Sequence, residues 1–205
     1  MNIIFDFDGT LIDSRLRLYS LFQDLVPHSR LSFEQYWSFK YSRYSNQDIL
    51  KFEFGFEEGD VQLFLKDWMA LIESSKYLSL DKNIEGVLDV LREIKLKASL
   101  HVCTDRQFRQ PVLDQLDGLG LTEYFSSVMV TEQKRTKESM VFLTVRDLQS
   151  HDWMIGDTGK DIQVGKTLGI NTCAVLSGFM SREALLKYKP TQIIDSVSQF
   201  SNLEL

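Results

Sequence analysis

The sequence predicts an α/β protein with a mostly parallel, doubly wound sheet and an inserted all-helical domain. Two observations support this fold class. Beyond residue 80, short apolar runs alternate with segments of helical periodicity, which is typical of βα units whose helices cover both faces of a sheet. Between residues 14 and 80 the alternation is interrupted for much longer than a βα loop requires. We therefore expect a core of residues 1–13 and 81–205 and a helical domain of residues 14–80.

The predicted elements of the core follow from the spacing of apolar residues. The first strand is the run Ile3-Ile4-Phe5, close to the N-terminus. A helix is predicted over residues 84–97, where apolar side chains recur at intervals of three and four. Further strands are predicted over residues 99–104, 126–130, 153–155, 172–176 and 192–194. Further helices are predicted over residues 108–116, 138–148 and 162–168.

The inserted segment is rich in aromatic residues, for which two interpretations are open. These side chains either line a substrate-binding cradle or form the core of a small helical bundle. The bundle core is favoured, because a domain of this size needs large apolar side chains for stability. The aromatic residues concerned are Phe33, Tyr36, Trp37, Phe39, Tyr41, Tyr44, Phe52, Phe54, Phe56, Phe64 and Trp68.

Two carboxylates, Asp6 and Asp8, directly follow the first strand and precede the turn at Gly9-Thr10. Ligands of open α/β sheets bind at the carboxyl ends of the strands. Like charges this close are costly unless a cation or a proton lies between them. The pair therefore indicates a magnesium site with a nucleophilic aspartate, against the alternative of a solvated Asp-Gly turn.

Three further polar groups occur at the ends of apolar runs, or just before a helix. Thr104 ends the run Leu100-His101-Val102-Cys103, and Gly156-Asp157 ends the run Trp153-Met154-Ile155, with Asp161 four residues later. A basic segment, Lys134-Arg135-Thr136-Lys137, leads into a predicted helix. The order of these groups along the chain suits a phosphoryl-transfer site.

With these motifs the sequence resembles the haloacid dehalogenase superfamily of phosphohydrolases. The similarity also covers residues 169–172 and 175–178. The four motifs of the superfamily match residues 6–10, Thr104, Lys137 and residues 156–161. The resemblance implies a Rossmann-like core, a helical cap of the phosphoglycolate phosphatase and β-phosphoglucomutase-like branch, and a phosphoric monoester hydrolase. A cap inserted after the first motif is expected to admit substrate and exclude water.

The resemblance also implies catalytic roles for individual residues. Asp6 would attack phosphorus and form an aspartyl phosphate, and Asp8 would protonate the leaving oxygen and later deprotonate water. Thr104 would donate a hydrogen bond to a phosphoryl oxygen. Lys137 would neutralise charge on the phosphoryl group and on Asp6, while Asp161 would orient Lys137 or a metal-bound water.

The implied cofactor is Mg²⁺, which prefers oxygen ligands and few protein carboxylates. Its expected ligands are Asp6, the backbone carbonyl of Asp8, and Asp157. Gly9 and Thr10 are expected to present backbone amides to the phosphate from a tight turn.

The identity of the phosphate-binding lysine is left open by the sequence. Phosphatases of this group usually carry a proline after the lysine of the third motif, whereas Glu138 follows Lys137 here. Lys134 is therefore a competitor for the same role.

Further substrate contacts are expected from the second motif and from the cap. Asp105 stands where an asparagine is more usual, and it adds a negative charge near the site unless Arg106 or Lys160 offsets it. Arg43 and Asn46 resemble a substrate loop of the cap, and arginine suits carboxylate or phosphate recognition.

The predicted function is a magnesium-dependent phosphatase acting on a small phosphorylated metabolite. Asp8 argues against a dehalogenase, because a halide needs no proton on leaving. A phosphomutase, and less favourably a non-catalytic binding protein, remain alternatives. The net charge of -6 argues against nucleic acid or an acidic membrane as partner. No apolar run approaches transmembrane length and no basic leader precedes Ile3, so a cytoplasmic location is expected. The acidic surface and the cap favour a monomer or a weak homodimer.

Overall fold

A computed structural model describes residues 1–202 of the chain. It divides into two compact units, one formed by residues 1–13 with residue 82 onwards, the other by residues 14–81. The strands are β1 (Asn2–Phe5), β2 (Ile12–Asp13), β3 (Lys82–Asn83), β4 (Ser99–Thr104), β5 (Ser127–Val130), β6 (Trp153–Gly156), β7 (Asn171–Val175) and β8 (Gln192–Ile194). The helices are α1 (Arg15–Leu25), α2 (Phe33–Tyr41), α3 (Asn46–Phe54), α4 (Glu58–Leu71), α5 (Ser75–Leu78), α6 (Val87–Ile94), α7 (Arg109–Gly118), α8 (Lys137–Thr144), α9 (Gly159–Thr167) and α10 (Arg182–Leu186), with 3₁₀ turns at Thr122–Tyr124 and Val197–Asn202.

The core unit is built on a six-stranded parallel sheet in the order β5-β4-β1-β6-β7-β8. The central strand β1 lies between β4 and β6, with Ile3 opposite both Leu100 and Trp153. This register places the carboxyl ends of the three central strands side by side. The predicted mostly parallel, doubly wound α/β fold is therefore confirmed.

The central strands β1 and β6 are buried on both faces, which explains why their sequences are nearly continuous apolar runs. Ile3 and Phe5 point to one face, where α6 and α7 pack, and Ile4 points to the other, where α8 and α9 pack. Successive side chains of a strand alternate between the two faces of a sheet. The core therefore consists of two apolar layers with β1 between them.

Two predicted helices are shorter in the structure, for local reasons. The helix predicted over residues 84–97 begins only at Val87, because Gly86 has a left-handed backbone (φ +76°) that no right-handed helix contains. The helix predicted over residues 138–148 ends at Thr144, and the β-branched Val145 that follows is extended. The sequence did not predict the two-residue antiparallel pair β2–β3, which is too short to show a period.

The helical unit contains α1 to α5 and an aromatic core. The ring of Phe22 lies 5.0 Å from that of Tyr36, 6.1 Å from that of Phe54 and 5.8 Å from that of Phe64, measured between centroids. Phe52 instead has its side chain in solvent. Within residues 1–202 the structure contains no helix that combines the length and apolarity needed to cross a bilayer.

Candidate active site

The polar residues at the carboxyl ends of β1, β4 and β6 converge because these three strands are adjacent. Asp6 follows β1 and its amide donates to the carbonyl of Ile155 in β6 at 2.8 Å, which continues the strand pairing by one residue. Thr104 is the last residue of β4 and Asp157 follows β6. All three side chains belong to buried residues. The site is therefore a cluster of buried polar side chains at the carboxyl ends of apolar strands.

Lys137 is the lysine that the structure brings to Asp6. It is the first residue of α8, directly after Thr136, whose hydroxyl caps the helix by accepting from the amide of Ser139. The Lys137 ammonium lies 2.6 Å from Asp6 Oδ1 and 2.6 Å from Asp161 Oδ1. Lys134, the competitor for this role, has a side chain that is 76% exposed and lies 3.7 Å from Glu132.

Asp161 holds Lys137 from the other side and is itself held by its helix. Its second oxygen accepts from the amide of Thr158 at 3.1 Å and from the Thr158 hydroxyl at 2.6 Å, which forms the N-terminal cap of α9. A Cβ at Gly156 would lie 2.3 Å from Asp161 Cγ, so only glycine fits there. Asp161 therefore has both oxygens engaged and acts as a fixed anchor for Lys137.

Asp157 is fully buried but only half satisfied. Its Oδ2 accepts from the amide of Phe179 at 2.7 Å, whereas its Oδ1 has no hydrogen-bond partner among residues 1–202. The backbone closes tightly around this carboxylate, since a Cβ at Gly9 would lie 2.5 Å and one at Gly178 1.9 Å from Oδ2. Gly9 also has a left-handed backbone, with φ +76°. Buried polar atoms without a partner are rare, and this one points to a missing ligand.

The charges of the cluster do not balance. Ligand atoms of Asp6, Asp157 and Asp161 lie within 4.8 Å of one another, and Lys137 pairs with Asp6 and Asp161. With all three carboxyl groups ionised, one ammonium group leaves two negative charges uncompensated. Burial raises the pKa of Asp6 to about 7 against the opposing effect of Lys137, and burial raises the pKa of Asp157 well above its usual value. Burial alone would lower the pKa of Lys137, but Asp161 and Asp6 outweigh it and raise that pKa well above its usual value.

A divalent cation with oxygen ligands fits this cluster. Asp157 Oδ1 is unpartnered, and an ion of charge +2 would neutralise the excess of the three carboxylates. Mg²⁺ is such an ion, and it is held in proteins by one or two carboxylates together with substrate oxygens. Asp161 is the least suited of the three as a ligand, because both of its oxygens already accept hydrogen bonds.

Asp8 forms an ion pair with Arg106, which the sequence did not predict. Arg106 Nε lies 2.6 Å from Asp8 Oδ2, and a terminal guanidinium nitrogen lies 2.7 Å from Asp8 Oδ1. The other residue of this loop, Asp105, pairs instead with Lys160 at 2.6 Å and accepts from the Thr131 hydroxyl at 3.0 Å. Of the two cations considered for Asp105, Lys160 is thus the one that offsets it.

Comparison with known proteins identifies the family. A family model described as haloacid dehalogenase-like hydrolase matches residues 3–175. The chain belongs to this family. The resemblance drawn from the four motifs is thereby confirmed, and so is the prediction that the protein is a hydrolase.

Relatives of this hydrolase share its whole length at low identity. "Pyrophosphatase PpaX" of Bacillus pumilus is 25% identical over 96% of this chain and 92% of its own length. A haloacid dehalogenase-like hydrolase from Streptococcus pneumoniae superimposes with a TM-score of 0.79 at 19% identity, covering 98% of this chain and 96% of its own. A predicted phosphoglycolate phosphatase from Haemophilus somnus superimposes with a TM-score of 0.69 at 16% identity, with coverage of 98% and 96%. The two structures share the fold.

The Gly9-Thr10 turn of this hydrolase differs from expectation. The Gly9 amide donates to the carbonyl of Ile12 at 2.8 Å and the Thr10 amide to that of Phe7 at 3.4 Å. Both amides are therefore engaged inside the turn rather than presented to a phosphate. The turn is fixed further by Ser177, whose hydroxyl donates to the Gly9 carbonyl at 2.8 Å, a contact that the sequence did not predict.

Arg43 and Asn46 lie in the helical unit of the hydrolase. Arg43 is exposed and has a left-handed backbone (φ 73°), just before α3. Asn46 begins α3, and its Oδ1 accepts from the Tyr36 hydroxyl at 2.9 Å and from the Lys40 ammonium at 3.2 Å. The carbonyl of Asn46 is thus engaged within its own unit, and a substrate contact from either residue stays a prediction.

Proposed function

We propose that this hydrolase is a Mg²⁺-dependent phosphatase that acts on a small phosphorylated metabolite through an aspartyl phosphate on Asp6. The observation that carries the proposal is the buried contact of Asp6 with Lys137 beside the half-satisfied carboxylate of Asp157. Lys137 engages Oδ1 of Asp6, so Oδ2 is the oxygen that attacks phosphorus. A carboxylate is one of the standard nucleophiles of covalent phosphoryl transfer.

The other residues of the cluster take up charge and protons. Lys137 neutralises Asp6 and the phosphoryl oxygens, and its second contact, with Asp161, keeps it in place. Asp8 donates a proton to the leaving oxygen and later accepts one from the water that hydrolyses the intermediate. Thr104 donates its hydroxyl to a phosphoryl oxygen.

The residues that would hold Mg²⁺ are Asp6, the backbone carbonyl of Asp8, and Asp157. When bound, the ion supplies positive charge between the nucleophile and the phosphate. Asp157 is positioned for this by the amide of Phe179 and by the close backbone of Gly178.

The relatives support a small phosphorylated substrate. One is named a pyrophosphatase and another a predicted phosphoglycolate phosphatase, and both names refer to a phosphoryl group on a small anion. Asp8 is present in this chain, so the site carries the proton donor that cleavage of a phosphate ester needs.

The test is phosphate release from p-nitrophenyl phosphate and a panel of phosphorylated metabolites, with and without Mg²⁺. We expect release that requires Mg²⁺ and is abolished by Asp6→Asn. Asp89→Asn is the matched control, because Asp89 is an exposed aspartate paired with Arg92 on α6. Equal release by the wild type and Asp6→Asn would contradict the proposal, and an isomerised sugar phosphate in place of free phosphate would identify a mutase.

A further inference from the structure

We propose that the surface at the C-terminal ends of α8 and α9 binds a second copy of this chain, in a two-fold arrangement that forms a weak homodimer. The surface consists of residues 142–148, at the end of α8, and residues 167–168, at the end of α9. We call it the α8–α9 face. It lies outside the candidate active site, and the inference does not depend on the proposed function.

Two large apolar side chains at the end of α8 lie in solvent next to each other. Phe142 is 75% exposed and Leu143 is 67% exposed. The helix packs on the core through Val141, which is fully buried, so neither exposed side chain is needed for that contact. Single exposed apolar residues are common, whereas adjacent ones beside an apolar hollow indicate an interaction surface.

A hollow of about 540 Å³ lies beside the Phe142 ring. Its apolar lining comes from Val145, Leu148 and Leu168, which belong to the apolar layer on this side of the sheet or pack against it. The α8–α9 face therefore presents a protruding ring and an apolar depression side by side. Because a two-fold interface uses the same surface on both copies, each copy can insert its Phe142 ring into the hollow of the other.

The charges at the rim of the hollow favour a second copy as the occupant. Arg146 and Asp147 are both exposed, and within residues 1–202 neither side chain has an ion pair or a hydrogen bond. A two-fold axis places Arg146 opposite Asp147 of the second copy, and the reverse, so both charges are paired twice. A strongly basic or strongly acidic partner would leave one of the two charges facing its own sign.

The net charge of the chain points to the same face. Copies that each carry a net charge of -6 repel one another over most of their surface. The α8–α9 face holds one arginine and one aspartate and no other charged residue, so it is locally neutral. Two copies can therefore approach each other here at a lower electrostatic cost than at an acidic part of the surface.

The position of the face on α8 leaves the carboxylate cluster accessible. Lys137, which contacts Asp6, is the first of the eight residues of α8, and Phe142 and Leu143 lie near its last. The two ends of a helix of this length are about 12 Å apart. A second copy on the α8–α9 face therefore does not cover the contact between Lys137 and Asp6.

The size of the face determines the expected affinity. Stable interfaces bury about 800 Å² on each partner, and smaller ones are weak or transient. The α8–α9 face contributes two exposed apolar side chains and one pair of charges from each copy. We therefore expect a dissociation constant on the order of 10⁻⁵ M.

The first experiment is analytical ultracentrifugation of the full chain over concentrations from about 1 μM to about 1 mM, which bracket this dissociation constant. The average mass should rise from the 23.8 kDa of the monomer towards twice that value. Phe142→Ser should raise the dissociation constant by at least about tenfold, because the dimer loses two buried rings. Leu96→Ser is the matched control and should leave it unchanged, because Leu96 is an equally exposed apolar residue outside the face.

The second experiment tests the pairing of charges by mixing two variants. Arg146→Asp puts two acidic residues on each copy and Asp147→Lys puts two basic ones, so each variant alone should dimerise at least about tenfold more weakly. An equimolar mixture of the two should associate about as strongly as the wild type, because every charge again faces its opposite. Thermal unfolding at low concentration checks that each variant is folded, above all Asp147→Lys, since Asp147 has a left-handed backbone (φ 57°).

Three results would overturn the proposal. A wild type that stays monomeric at every concentration would do so, and the face would then have to be covered by a different protein. A dimer that Phe142→Ser weakens no more than Leu96→Ser would place the interface elsewhere on the chain. A mixture of Arg146→Asp and Asp147→Lys that associates no better than either variant alone would exclude the two-fold pairing of Arg146 with Asp147.

Discussion

Two fully buried aspartates flank the same strand, β6, and they differ in almost every other respect. Asp152 precedes the strand and accepts three hydrogen bonds, from the amide and side chain of Asn2 and from the amide of Gln149. Asp157 follows the strand and accepts one, from Phe179, while its other oxygen has no partner among residues 1–202. Neither residue is exposed to solvent, but the carboxyl group of Asp152 has partners on both oxygens and that of Asp157 on only one.

The pKa shifts of the two carboxyl groups have opposite signs, because Asp152 has more hydrogen-bond donors and lies less deeply below the surface than Asp157. Burial would raise the pKa of Asp152, but the donors of Asn2 and Gln149 outweigh burial and lower it. Burial raises the pKa of Asp157, and the neighbouring Asp6 and Asp161 raise it further. Asp152 therefore stabilises the start of the sheet, whereas Asp157 is a group that still needs a positive partner.

The largest expected contrast is between Asp157→Asn and Asp152→Asn. Asp157→Asn should lower phosphatase activity by about 10³-fold, because the proposed metal ion would stabilise the transition state by several kcal/mol. Its free energy of unfolding without Mg²⁺ should stay equal or rise, because an uncompensated buried charge is removed. Asp152→Asn should keep its activity and lose about 1–3 kcal/mol of stability, because an amide nitrogen would face the donors of Asn2 or Gln149. Urea unfolding and initial rates check both; loss of activity in a well-folded Asp152→Asn would refute the contrast.

A second contrast is between Lys137, which pairs with the buried carboxylates, and the exposed Lys134. Lys137→Met removes the cation that pairs with both Asp6 and Asp161, so we expect a loss of about 3–5 kcal/mol in the free energy of unfolding without Mg²⁺. Lys134→Met should lower the free energy of unfolding by less than about 0.5 kcal/mol, because the Lys134 side chain is largely exposed. Chemical denaturation of both variants gives the comparison. Similar losses from the two substitutions would show that Lys137 is not the compensating charge.

The effect of Mg²⁺ on stability should distinguish Asp157 from Asp152 without any assay of activity. If the proposed Mg²⁺ site exists in the folded chain and not in the unfolded one, a Mg²⁺ concentration of 100 times its Kd should stabilise the wild type by about 2.7 kcal/mol. We expect the same shift in Asp152→Asn and none in Asp157→Asn. Thermal unfolding with and without Mg²⁺ measures it, with Ca²⁺ as a comparison ion. A full shift in Asp157→Asn would place the cation elsewhere.

The last contrast, which is small at any single pH step, is a difference in the sign of the pH dependence of stability. The pKa of Asp6 is raised to about 7 in the folded protein, so its contribution to stability is complete below about 3.8 and is lost as the pH rises towards 7. The pKa of Asp152 is lowered, so its contribution is present above about 3.8 and is lost on further acidification. In Mg²⁺-free buffer, Asp6→Asn should flatten the first trend by on the order of 1 kcal/mol per pH unit, and Asp152→Asn should flatten only the second. Unfolding free energies measured from about pH 3 to 8 test both signs.

The sequence predicted the parts of the site that depend on local pattern. Asp6, Thr104 and Asp157 were placed at strand ends because apolar runs and their last residues can be read directly, and parallel pairing then brings them together. The competition between Lys134 and Lys137 was left open because both precede the same helix. The structure brings Lys137 to Asp6 because α8 begins at that residue, after the cap at Thr136.

Other features depend on contacts between distant residues, which one sequence does not reveal. Arg106 and Asp8 are 98 residues apart, and neither carries a local signal for the other. Gly86 delays the start of the predicted helix, and a Cβ there would lie 2.9 Å from Ser198, near the other end of the chain. The engaged amides of Gly9 and Thr10 follow from a turn geometry that an Asp-Gly-Thr sequence permits but does not require.

The glycines around the carboxylates have a consequence for how this enzyme can diversify. Gly9 and Gly178 enclose Asp157, and Gly156 encloses Asp161, at distances where any Cβ would collide. The wall of the site on that side is main chain, and substitution cannot alter its shape or polarity without displacing the carboxylates. New substrates must therefore be accommodated by changes elsewhere in the chain, while this part of the molecule stays the same from one specificity to the next.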